Sequence, residues 1–519
     1  MLHQENIKKF VGLSVILLAL ISVVYYYYHL IVAISSDTTT MIPVVYDILK
    51  GNWLMKHWYF GSNNFFFTDT IFYLIGTALG ASSQFLINYL PGLFYLVLVW
   101  GLLVFFWYRP LHEKAKSSLI FCLASTLGFL LVVPYSGAYT LLNANSHNNL
   151  YLFVLIGIIC SYKFAEEGRK SYLAGYCIIG ILSYYSDSLT LLILFAPILM
   201  YAGYSIIKKE QRKRYLILGL ATISALAVGK LMLMLQVFLG GSVTRGLPLE
   251  LVSVLDWPGR LYDFGYAFLA LIGYTRLSDL SVGGAISNVF IALHLVLMVT
   301  MFVYNTFRVL RFRLEKKELL LYLISIVNVA GCVVTNVTVH NRYMAPFYIF
   351  GTVMVYLSFY NLLERSGLRR LRILTGLGIV GFFYLSCYRI QEIARVPLRG
   401  EGEREVVYSL EQSGWGDGYG EFWAASVCSF YSDFEVGIYP IIFSEEKGLE
   451  PYPELIDERW YDEKDKHFVI MENTRPGIEE HKRILTRVLG DPQSVSYLGG
   501  IYEVWYWEAD ISEMLYKTD

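Results

Sequence analysis

The residues with chemistry to offer stand where apolar runs begin or end. Asp37 follows the first such run, and Asp69 lies in "FTDTIFYLIGTALGA", residues 67–81. His147 sits in "NANSHNN" (Asn143 to Asn149) and Asp187 in "YYSDS" (Tyr184 to Ser188). His340, Asn341, Arg342 and Tyr343 follow one another in "TVHNRYMAPF", Thr338 to Phe347. A carboxylate within hydrogen-bond reach of a hydroxyl can act as a general base. A guanidinium offers a planar fork of donors matched to phosphate, which makes Arg342 and its neighbours the best anion site in the chain. An Arg at a membrane boundary also snorkels to the interface with no ligand at all. What favours the anion reading is that Arg342 is the lone basic residue of a very short loop on the side where basic residues are scarce.

The elements that must position these residues are read from composition and run length. The chain has 519 residues, 55% hydrophobic, 16% aromatic and 16% charged, against about 25% charged in an average soluble domain. Its mean hydropathy is +0.47. Recurrent apolar runs then mark a polytopic α-helical membrane protein. Eleven spans are expected, over residues 10–34, 85–108, 117–135, 149–162, 172–185, 189–206, 215–239, 285–307, 319–336, 344–362 and 373–390. The loops on the side of the N-terminus carry 22 Lys and Arg, whereas those of the opposite side carry six. The positive-inside rule therefore makes the N-terminus cytoplasmic, with Asp37 and everything after residue 390 outside. The expected protein is multi-pass in the plasma membrane, with an uncleaved first span. A net charge of −1 gives no support for nucleic-acid binding. Five of the six cysteines lie in apolar runs, so no disulfide framework or CxxC metal site is available.

The first outer loop, residues 35–84, is long. Its segments "TTTMIPVVYDILKGN" and "FTDTIFYLIGTALGA" read as short amphipathic helices lying flat on the bilayer surface. The aromatics between them suit the headgroup zone or a ligand. Residues 149–162 form a mostly apolar run of 14 positions, roughly 21 Å of helix against a hydrocarbon core of about 30 Å. Residues 172–185 look equally short. Polar groups at membrane depth are costly unless they pair or line a water-filled cavity. His147 and Asp187 thus read either as helix caps or as walls of a cavity in the outer leaflet. Lys230, in "LAVGKLMLML", is an intramembrane cation for which a site and an ion pair are both open.

A first span ending in an acid, a long first outer loop with two surface helices and a second acid, and an Arg-Tyr-x-x-Pro at a late outer boundary come before an extracytoplasmic tail. In that order and sidedness they resemble the GT-C superfamily of integral-membrane glycosyltransferases. The likeness is to the bacterial protein-mannosyltransferase-like and aminoarabinose-transferase-like branch, over residues 1–390. The resemblance implies a sugar donor on a polyprenyl phosphate and a glycan, lipid or protein acceptor. It implies Asp37 at the reaction centre as the base, Asp69 as the second acid and Arg342 on the donor phosphate, with inversion at the anomeric carbon. His147, Asp187, His340, Asn341 and Tyr343 become donor- or acceptor-binding candidates. Metal-using members carry an acidic pair in the second outer loop, and here that loop, "SGAYTLLNANSHNN", has no carboxylate. Hard divalent cations want several carboxylate oxygens, so the expectation is no cofactor, with a divalent metal possible but not favoured.

Residues 391–519 read as a small extracytoplasmic α/β domain: helices at "EREVVYSLEQSG" and "IEEHKRILTRVLG", a strand at "HFVIMEN", and a hairpin turning at Gly499–Gly500. The glycine-rich "GWGDGYGEFWAAS" reads as a loop or turn, either stacking on sugars or leading into a packed helix. Two other functions share part of this pattern. A lipid-linked-glycan flippase should show repeated halves with broken helices near the midplane, whereas a polysaccharide polymerase or ligase usually carries arginine-rich outer loops.

Overall fold

The computed structural model describes residues 34–107, 147–245, 250–272, 282–337, 339–366 and 400–515. The expected spans 117–135 and 373–390, and 10–34 up to its last residue, lie outside them. Among the described residues the chain runs α1 (Ser36–Thr39), α2 (Met41–Leu49), β1 (Trp58–Phe60), α3 (Ile71–Ala78), α4 (Ser83–Trp107), α5 (Asn148–Glu167), α6 (Lys170–Ser186), α7 (Ala196–Ile207), α8 (Arg212–Phe238), β2 (Val243–Thr244), α9 (Trp257–Leu271), α10 (Val282–Leu310), α11 (Lys316–Val334) and α12 (Asn341–Ser366). The tail adds α13 (Glu401–Ser413), β3 (Asp417–Glu421), α14 (Phe422–Tyr431), β4 (Ile438–Ser444), β5 (Gly448–Pro451), β6 (Ile456–Asp457), β7 (Lys466–Glu472), α15 (Ile478–Leu489), β8 (Ser494–Leu498) and β9 (Tyr502–Tyr506). Two single π-turns, Phe66–Thr70 and Leu191–Phe195, run into α3 and α7.

The chain divides into two compact units. The helical unit comprises residues 1–31, 89–232 and 248–396, and the sheet unit residues 32–88, 233–247 and 397–519. Across the described residues five helical segments are long and apolar enough to cross a membrane: Ser83–Phe105, Asn148–Glu167, Arg212–Phe238, Ile291–Leu310 and Lys316–Val334. Helices α6 and α12, and α7 with the π-turn before it, fall on three more of the expected spans. The supposed shortfall of span 149–162 is overturned. Helix α5 has 20 residues, about 30 Å at 1.5 Å per residue, because it adds Asn148 at its head and Lys163–Glu167 at its foot.

Within the helical unit, small residues set the close approaches. A Cβ on Gly157 would touch Leu194 and one on Gly331 would press into Leu192, so α5 and α11 pack tightly on the π-turn before α7. Arg308, Glu318 and Asn361 tie α10, α11 and α12 through a buried network: Arg308 donates to Glu318 at 3.0 Å and Asn361 donates to it at 2.6 Å. Opposite the buried stripe of α10, Leu293, Val296, Val299, Val303 and Phe307 stay exposed at three- and four-residue spacing, the pattern of a face open to lipid. Lys230 is likewise exposed on α8, and so joins no buried ion pair.

The sheet unit is built on a six-stranded sheet of order β5-β4-β3-β7-β9-β8, parallel across β4-β3-β7 and antiparallel elsewhere. Successive side chains of a strand face opposite ways. Phe468 and Ile470 therefore join Val406, Leu410, Ala425 and Cys428 of α13 and α14, whereas Val469 and Met471 join Ile484 and Leu485 of α15. The glycine-rich segment is corrected here, because Asp417–Glu421 is the central strand rather than a loop. A Cβ on Gly418 would run into the Phe468 ring and one on Gly420 into Ile470, so glycine is what lets β7 come close. A second sheet, β2-β1-β6, is tied to the first loop through Trp58↔Asp457 and Tyr59↔Val243. In α2 the residues Met41, Ile42, Val44, Val45 and Ile48 are buried. The apolar face expected on the bilayer surface is thus covered by protein.

Candidate functional site

Helix α5 opens on His147, whose φ of +64° is left-handed, a conformation a non-glycine residue holds only when its surroundings enforce it. Its ring Nδ1 lies 2.5 Å from Asp187 Oδ2, and both side chains are almost wholly buried. Asp187 closes α6, and its other oxygen accepts the Leu189 N–H at 3.0 Å. Asp187 therefore caps a turn and also pairs with a buried imidazole. The π-turn that follows is of a kind frequent at functional sites.

Arg342 and Tyr343 come to the same place through α12. Pro346 has no N–H, so it cannot donate to the carbonyl four residues before it. The hydroxyl of Tyr151 fills that vacancy, donating to the Arg342 carbonyl at 3.0 Å. The next N–H, of Phe347, donates to Asn328 Oδ1 at 3.2 Å. The Tyr343 ring lies 5.4 Å from that of His147, and the Arg342 guanidinium lies 5.3 Å from the Tyr343 centroid. Arg342 Nε is buried without a hydrogen-bond partner, a cost ordinarily avoided for a charged donor. The helical unit thus gathers His147, Asp187, Arg342 and Tyr343 from three helices, with Tyr151 beneath. His340 is exposed in the turn before α12, its carbonyl accepting the Tyr343 N–H at 2.9 Å. Asn341 opens the helix.

Asp37 and Asp69 belong to the sheet unit. Asp37 is half-buried in α1, which is held by Ser36 donating to the Phe422 carbonyl. Burial, with Glu454 and Asp37 adding to it, pushes the Tyr452 phenol up, and the Tyr452 ring stacks on Phe422 at 4.2 Å. Asp69 is fully buried in the first π-turn, and its charge adds to the burial that raises Tyr73. Among the described residues no three His, Cys, Asp or Glu side chains gather as metal ligands. Tyr151 and Asn328 were not foreseen. Their signal was Pro346, four residues past Arg342, which leaves carbonyl and amide groups that something else must satisfy. Comparison with protein-family models and with curated proteins finds no match to this chain.

Proposed function

We propose that the protein is a membrane glycosyltransferase of GT-C type. It moves a sugar from a polyprenyl-phosphate donor to a glycan, lipid or protein acceptor on the extracytoplasmic face. Asp37 removes the proton of the acceptor hydroxyl. The oxygen then attacks the anomeric carbon as the bond to phosphate breaks, and the electron pair leaves on the polyprenyl phosphate. One direct displacement inverts the anomeric centre. Cationic donors fixed where that charge develops stabilise the departing group, and Arg342 supplies them. Asp69, His147, Asp187 and Tyr343 orient donor or acceptor. The amide-rich second outer loop supports a reaction that continues in excess EDTA.

The observation that carries this reading is the setting of Arg342: a guanidinium with a buried, unpartnered Nε among Tyr343, His147 and Asp187. The test is sugar transfer by the purified chain in lipid nanodiscs from a panel of polyprenyl-phosphate sugars, with the anomeric configuration of the product read by NMR. Inverted product supports the reading, and no transfer from any donor in the panel refutes it.

A further inference from the structure

The sheet unit contains a cavity of about 420 Å³ that none of the candidate residues above lines, within the ~300–1,000 Å³ usual for small-ligand sites. It lies between α2 and the surface made by α14, β4 and the turn Glu458–Tyr461. Its walls are aromatic. The half-buried Trp460 ring lies 5.3 Å from Trp58 and 5.5 Å from Tyr439, and Tyr46 meets Phe434 edge to face at 6.1 Å.

The polar groups of the cavity are of two kinds. One set is locked: Asp47 Oδ2 accepts from Trp58 Nε1 and Arg459 Nη2, each at 2.8 Å, and Arg459 reaches on to Asp457. Burial works against the Asp47 charge, but the Trp58, Asn52 and Arg459 donors outweigh it and hold the carboxyl below its ordinary range. The other set is open. Among the described residues Asp47 Oδ1, Trp460 Nε1, Ser426 Oγ and Lys50 Nζ have no hydrogen-bond partner, while their residues line the cavity. Three carboxylates (Asp47, Asp457 and Glu463) face two cations (Lys50 and Arg459), a balance that does not favour an anion. Flat aromatic faces beside unspent donors and acceptors match a ring with apolar faces and a rim of hydroxyls.

We infer that this cavity binds one or two rings of a neutral glycan, as a subsite for the acceptor. The acceptor role rests on the function proposed above; the binding does not.

The test titrates the purified full-length protein in nanodiscs, followed by tryptophan fluorescence. The probes are glucose, galactose, mannose, N-acetylglucosamine, cellobiose, lactose and chitobiose, with glucose 6-phosphate as the anionic comparison. At least one neutral saccharide should saturate. Trp460→Ala should weaken it roughly tenfold and Trp460→Phe, which keeps a ring, by no more than roughly threefold. The Phe variant guards against a loss that only reflects misfolding. The inference is overturned if no neutral saccharide saturates, if the Ala variant binds as well as wild type, or if glucose 6-phosphate binds more tightly than glucose. Transfer activity without saccharide binding removes this inference alone, whereas binding without transfer removes the glycosyltransferase reading and the acceptor role with it, leaving the saccharide site.

Discussion

His147 Nδ1 and Asp187 Oδ2 lie 2.5 Å apart, joining the head of α5 to the end of α6 inside the helical unit. Each is a buried partner of the other, so replacing either breaks the pair. His147→Ala and Asp187→Asn should each lower stability by about 1–3 kcal/mol, the usual cost of disrupting a buried hydrogen bond to a charged group. The double variant should cost clearly less than the two together. Thermal unfolding in nanodiscs gives this cycle. Strict additivity would mean the two side chains are neighbours without being coupled.

Arg342 is the second lever. Its replacement by Ala removes charge-assisted bonds worth about 1.5–3 kcal/mol each. Lys restores the charge without the planar fork. The expected order of kcat/KM for a polyprenyl-phosphate donor is wild type, then Lys, then Ala, with Ala down by roughly 10–100-fold. Equal values for Lys and wild type would mean that the fork geometry is not used.

In the sheet unit, Asp510 offers a pH prediction. Burial works against its charge, but the backbone N–H groups of Asp465, Ser512 and Lys466 and the Ser512 hydroxyl outweigh it and hold the carboxyl well below the usual range. A depressed folded pKa adds stability above the unfolded value, near about 3.9, and that stability is lost as pH falls through the folded value. Asp510→Asn should therefore melt below wild type at neutral pH, and the gap should close progressively below about pH 4. A gap of constant size from pH 7 to pH 2 would show that charge plays no part.

Sidedness can be read with one engineered thiol. Cys428 is fully buried and reports nothing in the folded protein, whereas Glu401 is exposed at the start of α13. Glu401→Cys should react with a membrane-impermeant maleimide in intact cells. Reaction only after permeabilisation would put the tail, and Asp37 with it, on the cytoplasmic side.

Much of the helical unit was legible because apolar runs are long and their polar ends conspicuous. His147 and Asp187 stood out as polar residues at run ends, but nothing in the run lengths pairs positions that far apart. Their meeting depends on the α5–α6 hairpin, turned at Gly168 with φ +73°. Tyr151 carries no signal of its own in the sequence, since its hydrogen bond depends on Pro346 leaving the Arg342 carbonyl without a helical donor. Strand β3 was hidden because glycine has poor strand propensity. Its place in the sheet comes from the room Gly418 and Gly420 leave for Phe468 and Ile470, a relation across strands that local sequence does not carry. The Asp47–Arg459 bridge was out of reach for the same reason, its partners lying 412 positions apart.

The most direct test of the account is the turnover of Asp37→Asn beside wild type, with donor binding measured on the same preparations. The substitution keeps size and hydrogen-bonding capacity but removes the base. Transfer from the polyprenyl-phosphate sugar should fall by roughly 10²–10⁴, the usual worth of a positioned general base, while donor affinity and melting temperature stay within error of wild type. Wild-type turnover in the Asn variant would contradict the account, because the acceptor hydroxyl would then lose its proton to some other group.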